Sequence, residues 1–163
     1  MQKCPKSLSG GMRVTLYQPD IAANLGAIMR STACFDTELS IIEPCGFPLS
    51  AKSLRRAAMD YGTPKTLIRH ASWDIYQNTP KIGRRILLTT KGAQDLTDFS
   101  FLPDDELIFG RESAGVPEKV HAAMDARIII PISPETRSFN LSNAVAIVLW
   151  EALRQTHKLP QRD

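Results

Sequence analysis

Glu106-Leu-Ile-Phe-Gly-Arg-Glu-Ser-Ala-Gly-Val-Pro117 decides how this chain folds. Residues 106–109 lack the polar–apolar alternation of a half-exposed strand, so they read as a strand buried on both faces of a parallel sheet. Two glycines then bracket a turn, and Pro117 suits the first turn of a helix running to about residue 124. Strand, tight turn and helix in that order make a βα unit rather than a hairpin. Working outward, the same alternation recurs along the chain. Residues 14–18, 39–43, 66–70, 85–89 and 127–130 read as strands. Between them, a helix at about 23–35 follows the Pro19-Asp20 break, with Leu25, Ile28, Met29 and Thr32 on one face. Ser50 caps a helix to about residue 60, with Leu54, Ala57 and Ala58 inward and Lys52, Arg55 and Arg56 outward. Ser72 caps a turn or short helix, and Asn140 opens a last helix to about residue 155. The expected fold is α/β, a mostly parallel sheet of five or six strands flanked by helices.

With 163 residues, 43% of them hydrophobic, the chain is long enough for one self-sufficient core and too apolar to be disordered throughout. The expected organisation is an extension at 1–11, one domain at 12–157 and a tail at 158–163. Cys4, Cys34 and Cys45 are odd in number and show no CxxC spacing, which argues against a disulfide framework or a zinc site. Cys34, in an apolar helical pattern, reads as a small buried residue. The longest apolar run, 144–150, is far below the ~20 residues that span a bilayer. The first eleven residues lack the apolar region of a secretory signal, so a cytoplasmic protein is expected.

Net charge is only +3, but it is unevenly spread. From 52 to 91 nine Lys or Arg face two acids, and from 92 to 125 eight acids face two bases. Either a basic face attracts phosphate backbones, or the two blocks neutralise each other in the fold. Residues 144–150 are apolar all the way round a helix, which implies wrapping by the domain itself or a second subunit on one side.

Several familiar sites are absent from the sequence. There is no GxGxxG and no GxSxG, and the 110–115 turn is followed by Val-Pro where a P-loop needs Lys-Ser/Thr. His70, His121 and His157 have no metal-ligand spacing, so no metal is expected. Three polar junctions remain, two of them bearing glycine. In Asn24-Leu-Gly-Ala-Ile-Met-Arg30, Asn24 either caps the helix or faces a ligand, and Arg30, among apolar neighbours, calls for an anionic partner. In the 109–117 turn, Glu112 is an acceptor beside exposed backbone groups, or a solvated carboxylate on a plain structural turn. In 130–143, Ser138, Asn140, Ser142 and Asn143 supply more hydrogen-bonding groups than one helix cap uses, which suggests a ligand or a second structural tie.

Taken in order, these junctions resemble the three motifs of the SPOUT superfamily of RNA methyltransferases, most closely its minimal TrmL-type members, which methylate the 2′-O of the tRNA wobble nucleotide. The resemblance covers about 13–155. It rests on Leu16-Tyr-Gln-Pro19 with Asn24-Leu-Gly26 and Arg30, Ile41-Ile-Glu-Pro-Cys-Gly-Phe47, Leu54-Arg-Arg-Ala57 with Asp60-Tyr61, Leu88-Thr-Thr-Lys-Gly92, the 109–117 turn, and Arg137-Ser-Phe-Asn-Leu-Ser-Asn-Ala-Val145 with Glu151. It implies a C-terminal deep trefoil knot, a rare exception to unknotted chains, and a homodimer formed through the first and last helices. It also implies S-adenosylmethionine held by Leu88, Thr89, Gly110, Glu112, Gly115, Ile130, Ile132, Ser138 and Asn140.

In the family the motif-one arginine, here Arg30, acts at the ribose hydroxyl. A guanidinium stays protonated, so gripping the adjacent phosphate and stabilising developing oxyanion charge suits it better than acting as a base. Arg56, Lys91 and Arg137 match basic positions suited to an anticodon stem-loop, and Tyr61 either stacks on a loop base or packs. The chain departs from the pattern at Arg111 and Ala114, which replace a common Pro and Arg, at Trp150 and at Gly62-Thr-Pro64. Two alternatives are a SPOUT enzyme acting on another tRNA or ribosomal RNA site, and a non-catalytic RNA-binding dimer of the same fold.

Overall fold

A computed structural model describes residues 10–58, 67–91 and 94–162. Tyr61, Asp60 and the Gly62-Thr-Pro64 departure lie outside the described residues, as do Cys4 and most of the expected N-terminal extension. In chain order the elements are β1 (Arg13–Tyr17), α1 (Ala22–Cys34), β2 (Glu38–Ile42), α2 (Ala51–Ala58), β3 (Leu67–His70), α3 (Trp73–Gln77), β4 (Arg85–Leu88), β5 (Gln94–Asp95), β6 (Glu106–Phe109), α4 (Glu118–Ala122), β7 (Ala126–Ile129) and α5 (Leu141–Gln155). The strands form one sheet in the order β3-β2-β1-β6-β4-β7-β5, and each neighbouring pair is parallel.

The sheet has seven strands rather than five or six. The extra one, β5, is two exposed residues beside β7, too short and too polar to leave a periodic signal. Pro117 stands just before α4 as its N-cap rather than inside its first turn. Ser50 and Ser72 do cap: the Ser50 hydroxyl accepts from the Ser53 N–H at 3.0 Å, and Ser72 accepts from Ile75 N–H at 3.2 Å.

Why the central strands read as apolar runs is clear from their burial. All five residues of β1 and all four of β6 are buried, because helices cover both faces. On one face α1 and α5 pack Leu25, Ile28, Met29, Val145, Val148 and Leu149 over the sheet. On the other, α3 and α4 supply Trp73, Tyr76 and Val120. The inward stripe expected of α1 is the one observed. Cys34 is exposed, not buried, because it lies on the opposite side of the last turn of α1.

The strands begin on a row of charge. Arg13 registers with Glu38 on one side and Glu106 on the other, and Arg85 registers with Glu106. Across β2-β1-β6-β4 the sign therefore alternates. Glu106 lies 3.8 Å from Arg13 and 3.9 Å from Arg85, and accepts the Thr15 hydroxyl at 2.6 Å. Arg85 also stacks on the Tyr76 ring at 4.5 Å. Lys81–Asp125 and Arg84–Asp105 pair nearby at 2.6 and 2.7 Å. So part of the basic block is neutralised by the acidic block at this edge, while Lys52, Arg55, Arg56 and Lys91 remain on the surface.

Removing one member of a buried ion row strands the others. Glu106→Ala leaves Arg13 and Arg85 without their shared carboxylate, and the expected loss is about 3–5 kcal/mol of folding stability. Urea denaturation measures it. A loss below about 1 kcal/mol would show that the row does little to hold the sheet.

Candidate functional site

The opposite edge of the sheet carries the loops. In open α/β sheets ligands lie beyond the carboxyl ends of the strands, where neighbouring strands send their connections to opposite faces. Here β1 and β6 are such a pair, and the segments that follow β4, β6 and β7 line a cavity beside them. The chain leaves β1 for α1 on one face and leaves β6 toward α4 on the other.

The turn after β6 is held by its own backbone. Arg111 and Gly115 exchange two N–H···O bonds of 2.9 Å each. Gly115 has φ +62°, which a residue with a side chain adopts only at a cost, and a Cβ on Gly110 would sit 2.7 Å from the Gly115 backbone. These two glycines are therefore required by the turn itself.

Glu112 leaves this turn for the start of α1. That helix has Ile21 at its N-cap, with no side-chain cap and no acid in its first turn. The Glu112 carboxylate supplies what is missing: Oε2 accepts from Asp20 N–H at 2.7 Å, and Oε1 accepts from Ile21 N–H at 3.3 Å and from the Asn24 amide at 3.2 Å. An anion at a helix N-terminus is favoured by the exposed N–H groups and by the helix dipole.

Asp20 returns the contact. Its carboxylate accepts from Ser113 N–H at 3.1 Å, from the Ser113 hydroxyl, and from the Arg111 guanidinium at 3.0 and 3.3 Å. The Ser113 hydroxyl bond, ahead of the Arg111 charge, holds the Asp20 carboxyl below the usual carboxylate range. The third junction joins through Asn140. Its Oδ1 caps α5 by accepting from Ser142 N–H at 2.9 Å, and its Nδ2 donates to Asn24 Oδ1 at 3.0 Å. Asn24 is thus neither a cap nor a free surface amide. It is the link between Glu112 and Asn140, and the surplus polar groups of the third junction include a structural tie.

Beneath this link lies a cavity of about 680 Å³, lined in part by Leu88, Thr89, Gly110, Glu112, Gly115, Ile130, Ile132, Ser138 and Asn140. Those are the nine residues named for the cofactor. Lys91 and Arg137 edge the same cavity, as does His121, which its sequence spacing gave no reason to single out. Thr89 N–H bonds to Ile128 C=O at 3.0 Å, and its hydroxyl accepts from Lys91 N–H at 3.1 Å, which shapes the 88–91 wall. Arg56 lies elsewhere, exposed on α2. Arg30 is also outside the cavity lining, exposed on the solvent side of α1 with Ala23, Ala27, Ala33 and Cys34 rather than set among core residues. The apolar sequence around it mixes two helix faces, and only Ile28 and Met29 point inward. Asp20 and Ser113 carried no mark in the sequence, since a polar residue after proline or inside a turn is ordinary.

Among the described residues no group of His, Cys, Asp and Glu is placed to hold a metal, and no helix is long and apolar enough to cross a membrane.

Residues 11–150 match the family model described as the SpoU rRNA methylase family. The chain belongs to the SpoU methylase family. It is 52% identical over 148 residues to a tRNA (cytidine(34)-2′-O)-methyltransferase of Beijerinckia indica, covering 90% of this chain and 92% of the relative. A solved structure described as structural insights into the 2-OH methylation of C/U34 on tRNA superposes with TM-score 0.82 and 35% identity, covering 90% of this chain and 96% of that one. A more distant structure, the AdoMet-bound rRNA methyltransferase of Sinorhizobium meliloti, superposes with TM-score 0.74 at 23% identity, over 89% of this chain and 56% of that one. The parallel sheet with its flanking helices is thus the SpoU methylase arrangement.

Cys45, on the loop after β2, sits near these carboxylates. Burial chiefly, with Glu43, Glu112 and Asp20 adding negative charge against the opposing Arg69, pushes its thiol up to about 11. The thiolate is the reactive form, and a raised value empties it at neutral pH. Alkylation of Cys45 at about pH 8 should be at least a hundredfold slower than for an unperturbed thiol near 8.5, and should climb about tenfold per pH unit toward 11. Peptide mass spectrometry after iodoacetamide labelling follows it. A rate matching free cysteine at that pH would contradict the assignment.

Proposed function

We propose that this protein transfers the methyl group of S-adenosylmethionine to the ribose 2′-oxygen of nucleotide 34, cytidine or uridine, in tRNA. The observation that carries the reading is the convergence of the segments after β4, β6 and β7 on one cavity, with Asn24 joining Glu112 to Asn140 beside it. The names of the relative and of the structural neighbour give the reaction and its position on the RNA.

The cavity fits the cofactor. Its volume falls within the range of about 300–1,000 Å³ usual for small-molecule sites. Leu88, Ile130 and Ile132 offer apolar walls for the adenine and thioether parts, and Ser138 and the 110–115 turn offer polar groups to the ribose and amino-acid parts. Gly110 and Gly115 leave no side chain between the backbone and a bound group. When bound, the cofactor would supply an electrophilic methyl on a sulfonium, to which the ribose oxygen would bond as the S–C electron pair goes to sulfur and the hydroxyl proton passes to solvent water.

The protein's task is mainly position. A ribose hydroxyl is a poor nucleophile, so in-line alignment supplies much of the rate. Arg30 grips the phosphate beside nucleotide 34 and stabilises charge developing on the oxygen. Lys91 and Arg137 hold RNA at the cavity mouth, and Arg56 on α2 extends the phosphate track. Residues 12–157 form one catalytic domain, with 1–11 and 158–163 outside it. The 130–140 segment, which runs from β7 to α5 along the cavity, is the part of the chain that closes a deep trefoil knot. A tRNA substrate places the enzyme in the cytoplasm.

The working unit is a homodimer. Ile147 and Trp150 are 37% and 46% exposed on α5, beside a groove of about 660 Å³ shared with Phe35, Leu96 and Ala146. The exposed side of α1 is small and apolar apart from Arg30. A second copy packed on α1 and α5 covers both, and removes water from around Arg30, which strengthens its hold on phosphate.

Mass spectrometry of tRNA from cells lacking the protein tests the reading: a 2′-O-methyl should vanish at position 34. Loss at any other nucleotide would overturn it. Arg30→Lys keeps the charge but loses the two-pronged guanidinium, so methyl transfer should fall about a hundredfold, while calorimetry shows cofactor binding little changed. Transfer at the wild-type rate would remove the phosphate grip.

A further inference from the structure

The side chains of Asp20 and Arg111 have no part in the roles given above beyond the backbone of the 110–115 turn, yet they cross between the two segments those roles depend on. Arg111 borders the cavity, but its guanidinium donates to the Asp20 carboxylate and Ser113 adds two more donors to the same group. Together with the Glu112 bonds this makes a reciprocal arrangement. The carboxylate of each segment accepts backbone N–H groups of the other: Glu112 those of Asp20 and Ile21, and Asp20 that of Ser113.

One such contact leaves a pivot, and two fix an orientation. With Glu112 alone, the start of α1 would be tethered at one carboxylate and free to turn about it. Asp20 is also held from behind, because Gly46 packs so closely that a Cβ there would lie 2.9 Å from Asp20 Cα, and Gly46 N–H bonds Pro19 C=O at 3.0 Å. A side chain pinned on one side and carrying a charge-assisted bond on the other has little freedom to drift. The 110–115 turn, by contrast, keeps its own shape through the Arg111–Gly115 backbone pair.

We propose that Asp20, Arg111 and Ser113 form a positioning latch that sets α1, with Asn24 and Arg30, against the cofactor turn, so that turnover depends on the latch and cofactor affinity does not. It rests on the methyl-transfer reading given above. Arg111 stands where the family pattern commonly has proline, so the latch is a feature of this chain's own sequence.

The test uses the full-length protein and the variants Asp20→Asn, Arg111→Gln and their double. Each single change should lower kcat by tenfold or more, since displacing a reacting group by about 1 Å costs up to about a hundredfold. Cofactor dissociation constants from calorimetry should stay within about threefold, and the double should be no worse than the weaker single, as expected of partners in one interaction. Arg111→Lys, which keeps the charge, should restore most of the rate. Wild-type kcat in the singles, effects that multiply in the double, or a parallel fall in affinity, rate and melting temperature would each overturn the latch. Hydrogen exchange separates this from the fate of the functional reading. If the wild-type protein methylates no tRNA, that reading fails alone, and the amides of Asp20, Ile21 and Ser113 still decide the latch: they should exchange faster in both singles, and unchanged protection overturns it.

Discussion

The Glu112 carboxylate, seated on the Asp20 and Ile21 N–H groups that lead into α1, is the contact on which the functional end of this molecule depends. α1 begins without a cap of its own: Ile21 offers no acceptor, and no acid lies in the first turn. A helix start with unsatisfied N–H groups is a site waiting for an anion. Here the anion comes from the neighbouring βα turn, because β1 and β6 are adjacent and parallel and their following segments rise side by side before parting to opposite faces of the sheet. Asn24, one turn into the helix, is then reached by the same carboxylate and passes the connection on to Asn140. Sequence-distant segments thus become one rigid rim around the cavity.

The two edges of the sheet divide their work. At the strand starts, buried charges alternate in sign across four strands, and Glu106 serves two arginines and a threonine hydroxyl at once. These groups answer one another mainly through charge, at 3.8 and 3.9 Å, and Arg13 Nε, Arg85 Nε and Glu38 Oε1 find no hydrogen-bond partner among the described residues. At the strand ends the charged groups are part-buried and grouped about the turns, and glycines keep the backbone accessible. The uneven distribution of charge along the chain serves both edges. Arg84, Arg85 and Lys81 are spent on the acidic block, whereas Lys52, Arg55, Arg56 and Lys91 keep their charge at the surface. Neutralisation within the fold thus accounts for one part of the basic block and leaves the other part exposed.

How far the sequence announces this varies with the range of the interaction. The parallel sheet was legible in 106–109 and 85–89, because burial on both faces removes the alternation that a half-exposed strand shows. The inward stripe of α1 was legible too, since helical periodicity is local. β5 was not, being two residues whose pairing is decided by β7 rather than by their own character. Cys34 and Arg30 misled in the same manner: apolar neighbours in sequence alternate between helix faces, so an average over several residues cannot say which face a given one occupies. The residues around the cavity were found by motif order, but the crossing of Asp20 to Ser113 and Arg111 was not. A carboxylate and its partners that meet only through the adjacency of β1 and β6 leave no periodicity to read.

That distinction bears on how α1 can serve several masters. Its buried stripe belongs to the core shared with α5, and Gly26 brings it so near α2 that a Cβ would lie 3.0 Å from the Ala57 carbonyl oxygen. Its start is tied to the 110–115 turn, and its remaining face, with Arg30, looks outward. A helix fixed on three sides cannot adjust its fourth independently. Whatever RNA or second subunit meets the outer face meets a surface whose position has already been set by the Asp20 and Glu112 carboxylates. Placing Arg30 on such a helix rather than on a loop means that the position of its backbone comes from the scaffold and is set during folding.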